Sequence, residues 1–221
     1  MSNRYALAGA SGLVGRALAQ ALSADPRCTE LHLLLRRPLP ALEALPHARA
    51  VAWDGGAMPA LPRVDTALCA LGTTLKAAGS TDAFRAVDFN AVLAYARAAH
   101  QAGARRFAMV SALGADADSP VFYNRVKGEI EQAVQAIGFR HLVIARPSLL
   151  IGDRDAIGQP IRPGEALAQA LAPAFAWLTP RRLRAIPADA VARALLAAVD
   201  TSPPGVRVVE SDELQTLGQE P

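Results

Sequence analysis

The stretch "RYALAGASGLVGRALAQAL", residues 4–22, determines the fold, because it joins an apolar run, a glycine-rich turn and a helical pattern. The apolar run Arg4–Ala8 has the length of a buried strand, and "GASGLVG" follows it directly. In such a unit Gly9 permits a tight turn, Gly12 lets the backbone approach a ligand, and Gly15 lets the helix pack closely on the strand. The stretch therefore predicts the start of a βαβ motif.

Short apolar runs and longer helical patterns alternate along the rest of the chain, which is typical of an α/β protein with a parallel sheet. We therefore expect a doubly wound Rossmann fold, with a mostly parallel sheet of about seven strands and helices on both faces. The predicted strands are Arg4–Ala8, Glu30–Leu35, Ala48–Trp53, Thr66–Leu71, Arg106–Ser111, His141–Ala145 and Val206–Glu210. The predicted helices are Gly12–Ser23, Thr81–Ala102, Pro120–Ile137 and Ala188–Val199.

The segment 152–186 breaks this alternation and is rich in Gly, Pro and Arg. It is too short for a separate domain, so residues 1–221 are expected to form a single domain with 152–186 as a small C-terminal cap on the substrate side. Within this cap, the run around Phe175, Trp177 and Leu178 is expected to pack on the substrate crevice rather than to touch a membrane surface or a partner.

Composition favours an ordinary globular protein. The 221 residues are 52% hydrophobic and 19% charged, which suits one buried core of good size. The start "MSNRYALAGA" has no basic stretch followed by an apolar run, and no stretch of 18 or more apolar residues could span a bilayer. We therefore expect a cytoplasmic protein without stable membrane insertion.

Metal chemistry and nucleic-acid binding are both disfavoured. Cys28 and Cys69 form no metal-like pair, and the four histidines are scattered, so no metal site is predicted. A formal charge of +3, with its arginine pairs far apart in sequence, lacks the dense basic and aromatic pattern of nucleic-acid binding proteins. Among the 23 Lys and Arg residues, only Lys76 and Lys127 are lysines, and all the others are arginines.

The glycine turn predicts a dinucleotide site, because the N-terminus of the following helix offers N–H donors and partial positive charge to a pyrophosphate. Rossmann domains that prefer NAD carry an acidic residue about 20 positions further on. Here Arg36 and Arg37 stand there instead, and guanidinium groups match an adenosine 2′-phosphate, so NADP(H) is preferred over NAD(H). The alternative is two solvated arginines. The predicted phosphate-binding residues of the turn are Gly9, Ser11, Gly12, Leu13, Val14 and Gly15.

At this point the chain resembles a known family, the short-chain dehydrogenases/reductases in their atypical or extended branch. It is most similar to relatives of the Tat-interacting, oxidoreductase-like protein and to bacterial nucleoside-diphosphate-sugar epimerase-like proteins. The motifs that carry the resemblance span nearly the whole chain: "GASGLVG", "CALGTT", "AGSTDAFRAVDFN", "VSALGAD", "FYNRVKGEIE", "ARPSLLIGDR" and "VRVVESDEL".

The resemblance implies a set of site residues. Tyr123 and Lys127 look like the catalytic Tyr-x-x-x-Lys of the family, and Ser111 is similar to its active-site Ser. The turn after the fourth strand and the proline after the sixth would pass along the cofactor, which adds Leu71, Gly72, Thr73, Lys127 and Pro147 to the cofactor-binding residues. Asp54 and Asn90 are weaker matches, and no role is assigned to them or to Lys76.

These expectations describe an NADP(H)-dependent oxidoreductase in which Tyr123 is the general acid or base for a small carbonyl or alcohol. A second function stays open, namely an NADPH-binding regulator or redox sensor with little turnover. At residue level, Tyr123 with Lys127 could be a packed aromatic beside a cation, and Ser111 could satisfy local backbone groups. The expected partner is a small-molecule substrate, and a homodimer is possible by analogy with related folds.

Overall fold

Residues 3–152 and 180–219 are described in the computed structural model. The strands are β1 (Asn3–Ala8), β2 (Cys28–Leu35), β3 (Ala48–Ala52), β4 (Thr66–Cys69), β5 (Arg106–Val110), β6 (His141–Arg146), β7 (Leu150–Ile151), β8 (Ile186–Pro187) and β9 (Gly205–Glu210). The helices are α1 (Leu13–Ala24), α2 (Pro40–Glu43), α3 (Leu75–Ala78), α4 (Thr81–Arg85), a π-helical turn (Ala86–Ala91), α5 (Val92–Gln101), α6 (Phe122–Gln135), a 3-10 turn (Arg181–Leu183), α7 (Ala188–Thr201) and α8 (Ser211–Leu217).

Seven of the strands form one sheet in the order β3-β2-β1-β4-β5-β6-β9, and every neighbouring pair is parallel. The chain builds outward from β1 on one side and then returns to β4 on the other, which is the doubly wound Rossmann arrangement. The predicted fold class is confirmed. All seven predicted strands are present, with ends that differ by one or two residues.

Successive side chains of the strands serve two separate hydrophobic cores. Tyr5 and Leu7 of β1 face the core formed with α1 and α7, whereas Ala6 and Ala8 face the core formed with α5 and α6. This follows from the alternation of side chains across a strand. Because both faces of the sheet are covered, its strands read as nearly continuous apolar runs, and this is why the sequence pattern located them well.

Backbone contact joins β1, α1 and the end of β4. Gly9 has a φ of 88°, in the left-handed region that favours glycine. A Cβ at Gly9 would lie 2.4 Å from the carbonyl carbon of Ala70, and a Cβ at Gly15 would lie 2.0 Å from the Gly9 oxygen. Both positions therefore exclude a side chain, as the glycine spacing predicts.

The helix predicted over Thr81–Ala102 is instead three pieces, because the π-helical turn Ala86–Ala91 separates α4 from α5. Sequence periodicity does not distinguish such a turn from the regular helix around it. Turns of this type are rare and frequently occur at functional sites. This one carries Asp88, whose side chain is fully buried.

The predicted cap cannot be followed along most of its length, because residues 153–179, including Phe175, Trp177 and Leu178, lie outside the described residues. Near its two ends, Leu150–Ile151 and Ile186–Pro187 pair as a short parallel ladder. Within the described ranges, no helix is both long and apolar enough to cross a bilayer.

Replacement of Gly15 tests the backbone contact at the start of α1. In Gly15→Ala the new methyl group would have to displace the Gly9 carbonyl, and overpacking of this kind costs about 1–3 kcal/mol or more. We expect the free energy of unfolding, measured by urea denaturation, to fall accordingly. Gly12→Ala is the matched control, since its Cβ would meet only the Gly9 oxygen at 3.5 Å. An equal decrease in the free energy of unfolding in the two variants would contradict the close contact between Gly15 and Gly9.

Candidate active site

The turns that follow β1 and β4 meet at the carboxyl end of the sheet. Gly9 approaches the backbone of both Ala70 and Leu71. Strands β1 and β4 are neighbours at the point where the strand order reverses. Ligands of open α/β sheets bind in the crevice at this switch point. The glycine turn and the predicted cofactor turn Leu71–Thr73 therefore lie side by side where a dinucleotide is expected.

The N-terminus of α1 is suited to a phosphate group. Gly12 caps the helix without a side-chain hydrogen bond, and the first turn carries no acidic residue. Its N–H groups and helix dipole favour anionic oxygens. Of the predicted residues here, Ser11 is exposed, Leu13 is half-buried and Val14 is buried in the core. The residues fit a pyrophosphate, and Val14 can contribute only through its backbone.

Arg36 and Arg37 follow β2 directly and are both exposed. Neither forms an ion pair or hydrogen bond with another residue in the described part of the chain. Because β2 pairs with β1, the two arginines stand at the same edge of the sheet as the glycine turn. Two guanidinium groups at this edge can accept a dianionic phosphate as a ligand.

Lys127 and Asp88 form a buried ion pair beside the turn Leu71–Thr73. Lys127 Nζ lies 2.7 Å from Asp88 Oδ1, and the two side chains are 5% and 0% exposed. The second oxygen, Oδ2, accepts a hydrogen bond of 2.8 Å from the Thr73 backbone N–H. A Cβ at Gly72 would lie 3.5 Å from Asp88 and 3.7 Å from Lys127 Nζ. The structure thus gathers Gly72, Thr73 and Lys127 around one carboxylate.

Two opposing effects act on the amine of Lys127. Burial lowers its pKa, because an ammonium loses its hydration, and this is the largest single effect. The charge and close contact of Asp88, together with the phenolate form of Tyr123, raise the pKa by more. The pKa of Lys127 therefore lies above its ordinary value, and the side chain is an ammonium at neutral pH.

Tyr123 lies one helical turn before Lys127, in the first turn of α6, and is partly exposed. Residues four apart share a helix face, and the two side chains are close enough to interact electrostatically. The Tyr123 ring packs on Phe84 of α4 with a centroid distance of 5.4 Å. A Cβ at Gly128 would lie 2.1 Å from the Ala117 nitrogen, so α6 sits tightly against the loop after β5. The predicted Tyr and Lys pair is thus held on one face.

Ser111 is buried and belongs to a charged network. Its hydroxyl donates to the carboxylate of Glu131, which lies one turn beyond Lys127 on α6. Arg146, at the end of β6, donates to the two oxygens of Glu131 at 3.1 and 2.5 Å and to Glu210 of β9 at 3.1 Å. These donors compensate the buried charge of Glu131. A serine hydroxyl has one proton, and here it goes to Glu131.

Pro147 follows β6 directly and is buried. Its carbonyl accepts a hydrogen bond of 2.9 Å from the Leu113 N–H, and the Ser111 N–H bonds to the Ala145 carbonyl at 2.7 Å. The pairing of β5 with β6 therefore continues past the ends of both strands. Pro147 is held at the carboxyl edge of the sheet, where its predicted neighbour is the nicotinamide.

Three polar residues of this region are absent from the sequence predictions, namely Asp88, Glu131 and Arg146. Glu131 had a detectable signal, since it continues the four-residue spacing of Tyr123 and Lys127 along one face of α6. Asp88 and Arg146 had none, because their partners are far away in sequence.

The residues without an assigned role stay at the surface. Asn90, two positions after Asp88, is exposed, and so is Lys76. Asp54 is exposed as well and accepts a hydrogen bond of 2.8 Å from the Gly56 N–H. Within the π-helical turn, the buried polar residue is therefore Asp88 and not Asn90.

Comparison with known families decides the affiliation of the chain. A family model described as "NAD(P)H-binding" matches residues 9–202. The chain belongs to the NAD(P)H-binding family. The matched range begins at the glycine turn and runs through the Tyr123 and Lys127 helix, so it includes the whole candidate site. The resemblance to NAD(P)-binding, oxidoreductase-like proteins is thereby confirmed.

Relatives of this NAD(P)H-binding chain include fungal proteins. "Protein fmp52, mitochondrial" of Emericella nidulans is 36% identical over 178 residues, which cover 77% of this chain and 75% of the relative. The protein of the same name from Aspergillus clavatus is 33% identical over 218 residues, 94% of this chain and 88% of the relative. Both names place these relatives in mitochondria, so the expectation of a cytoplasmic protein is wrong on this comparison.

Similar solved structures share the fold at low identity. "MoeE5 in complex with UDP-glucose and NAD" has a TM-score of 0.69 and 19% identity, and the match covers 93% of this chain and 75% of that one. The UDP-glucuronic acid 4-epimerase of Bacillus cereus, in complex with NAD, has a TM-score of 0.68 and 15% identity, with coverage of 95% and 78%. This chain therefore has the fold of these NAD(P)-binding, epimerase-like proteins.

Replacement of Ser111 tests its bond to Glu131. Ser111→Ala leaves the buried carboxylate with one donor fewer, and such a loss costs about 1–3 kcal/mol. We expect this decrease in the free energy of unfolding, measured by urea denaturation without any ligand. Ser11→Ala is the control, because Ser11 is exposed and surface changes stay within about 0.5 kcal/mol. If the two variants are equally stable, the hydroxyl does not support Glu131.

Proposed function

We propose that the protein is an NADP(H)-dependent oxidoreductase of the short-chain dehydrogenase type, which transfers hydride to or from a small carbonyl or alcohol. The observation that supports this most is the position of the Tyr123 and Lys127 face of α6. Lys127 lies beside the turn Leu71–Thr73, which itself packs on the glycine turn. A proton donor and an ammonium beside the cofactor turn serve a reduction, whereas nucleotide binding alone requires neither.

The cofactor is assigned to the edge of the sheet that carries the two glycine-containing turns. The backbone of Gly9–Gly15 would hold the pyrophosphate, and Arg36 with Arg37 would hold the 2′-phosphate of NADP(H). Leu71–Thr73 and Lys127 would lie along the rest of the molecule, with Pro147 near the nicotinamide. When bound, the nicotinamide supplies or accepts the hydride.

Tyr123 is the general acid and base in this proposal. Its phenol donates a proton to the carbonyl oxygen during reduction, and its phenolate takes one from the alcohol during oxidation. The ammonium of Lys127 stabilises the negative charge on the phenolate. Lys suits this role better than Arg, because its compact charge can also approach the ribose hydroxyls. General acid–base catalysis of this kind contributes about 10²–10⁴-fold to the rate.

Ser111 keeps its role as a hydrogen-bond donor to the substrate oxygen only if its hydroxyl turns away from Glu131. One hydroxyl proton cannot serve both acceptors at once. Glu131 would remain paired with Arg146 during this rotation, so its buried charge would stay compensated. The substrate itself would be bounded by the segment 152–186.

Removal of the two arginines tests the cofactor preference. In the double variant Arg36→Ala/Arg37→Ala, the dissociation constant for NADPH is expected to rise about 10–100-fold, because charge-assisted hydrogen bonds to the 2′-phosphate are lost. The constant for NADH should change by less than about twofold. Isothermal titration calorimetry measures both. Arg97→Ala, which removes an exposed arginine from α5, is the control. Equal affinity of the unaltered protein for NADPH and NADH would refute the preference.

Removal of one phenol hydroxyl tests the proton donor. Tyr123→Phe keeps the ring contact with Phe84 but is expected to lower kcat about 10²–10⁴-fold, with NADPH affinity unchanged. Tyr95→Phe is the control, since it removes a hydroxyl from the buried core between α5 and the sheet. Unchanged turnover in Tyr123→Phe would exclude the assigned role.

The same assay separates catalysis from sensing. Activity is measured with NADPH or NADP⁺ across a panel of small aldehydes, ketones and alcohols. Tight NADPH binding without turnover of any member would favour the nucleotide-binding regulator over the enzyme.

A further inference from the structure

We propose that Asp88 is a positioning residue of the active site, which fixes Lys127 beside Tyr123 and keeps its amine charged. This rests on the proposed function, because it concerns the cation that serves Tyr123. Asp88 acts through Lys127, since its fully buried carboxylate contacts the Lys127 amine and the Thr73 backbone. Neither the motif spacing nor the family resemblance indicated this residue.

Both carboxylate oxygens of Asp88 are engaged, each with a different part of the site. Oδ2 accepts the Thr73 N–H at 2.8 Å, and Oδ1 lies 2.7 Å from Lys127 Nζ. Oδ1 has no hydrogen-bond partner in the described part of the chain, so its contact with Lys127 is an ion pair. Asp88 therefore joins the ammonium to the cofactor turn, so that the two are held in one fixed arrangement.

Three ionisable groups face the Lys127 amine: Asp88 from the π turn, Tyr123 from α6 and Cys69 from the end of β4. Burial raises the pKa of the Cys69 thiol to about 12, so this group is neutral at physiological pH. Glu131, one turn further along α6, is already paired with other side chains. Asp88 is therefore the anion that compensates Lys127 among the described residues.

The carboxylate of Asp88 supplies a negative charge to Lys127, which a neutral hydrogen-bond acceptor would not. An amide oxygen could accept a hydrogen bond from Lys127 but would supply no opposite charge. Burial without such a charge lowers the pKa of a lysine, by up to about 3–5 units for a fully buried group. With Lys127 only 5% exposed, the amine would then lose its proton within the physiological range.

The segment that contains the π-helical turn contacts both members of the Tyr and Lys pair. Phe84, before the turn, packs on the Tyr123 ring, and Asp88, within it, pairs with Lys127. One segment therefore holds both members of the Tyr and Lys pair.

The chain offers a direct measurement, because Lys76 and Lys127 are its only lysines. With ¹³C-labelled lysine, NMR titration of the ligand-free protein gives two side-chain signals, and Lys76→Arg assigns them. The Lys127 signal is expected to titrate above the ordinary range of a lysine side chain. In Asp88→Asn, which keeps an acceptor for Thr73, the Lys127 midpoint should fall by two or more pH units. Asp82→Asn, at an exposed position of α4, is the control.

Activity gives a second readout that a purely structural role would not change. The pH profile of kcat/KM for Asp88→Asn should gain a decline at alkaline pH, starting where Lys127 loses its proton, that the unaltered protein lacks. Asp88→Glu, which retains the charge, should restore the high Lys127 midpoint and remove the decline. If Asp88→Asn fails to fold, Asp88→Ser supplies a second neutral variant with the same expected result.

A Lys127 midpoint in the folded neutral variants within about half a pH unit of that in the unaltered protein would overturn the proposal. Turnover by the unaltered protein with an unmoved pH profile in Asp88→Asn would also overturn it, while leaving the proposed function in place. Conversely, an unaltered protein without turnover would remove the proposed function, and the NMR titration would still decide whether Asp88 keeps Lys127 charged.

Discussion

The contact of Gly9 with Gly15 on one side and with Ala70 on the other is the constraint on which the site depends. Added Cβ atoms would come within 2.0 and 2.4 Å of backbone there, so the distances between β1, α1 and the end of β4 are fixed by main chain alone. The turn Leu71–Thr73 follows β4 closely, so the end of β4 fixes its position. Its Thr73 N–H then binds Asp88, and Asp88 binds Lys127. The position of the ammonium is thus set by a continuous series of contacts from the glycine turn.

The same region contains two ion pairs on one face of α6, one fully buried and one with a partly exposed arginine. Lys127 pairs with Asp88, and Glu131, one turn later, pairs with Arg146. A buried pair contributes little net stability, but loss of one partner leaves an uncompensated charge that costs about 3–5 kcal/mol. Substitution of a single charged residue on this face of α6 is therefore expected to be destabilising. Arg36 and Arg37 are the opposite case, since they are exposed and form no ion pair with described residues.

The strands and the glycine turn could be predicted because their causes are local. A strand covered on both faces is a short apolar run, and a close backbone approach requires glycine whatever lies elsewhere in the chain. The polar contacts of the site, in contrast, join residues that are far apart in sequence. Ser111 bonds to Glu131, and Glu131 bonds to Arg146, across separations that no periodic pattern records. The π turn was missed for a related reason, because its residues have the same apolar spacing as the helix on either side.

The ion pair also changes the physical account of Lys127. From the sequence alone, this residue would act on Tyr123 as a free positive charge. In the structure Asp88 lies 2.7 Å from the amine, so the two charges form a dipole whose field falls off faster than that of a single charge. What the ammonium offers the phenol is then mainly a fixed, short-range positive end. A lysine suits this place in a chain that otherwise uses arginine, because its compact amine carries its charge at one point, whereas a guanidinium is broader and its hydrogen bonds lie in one plane.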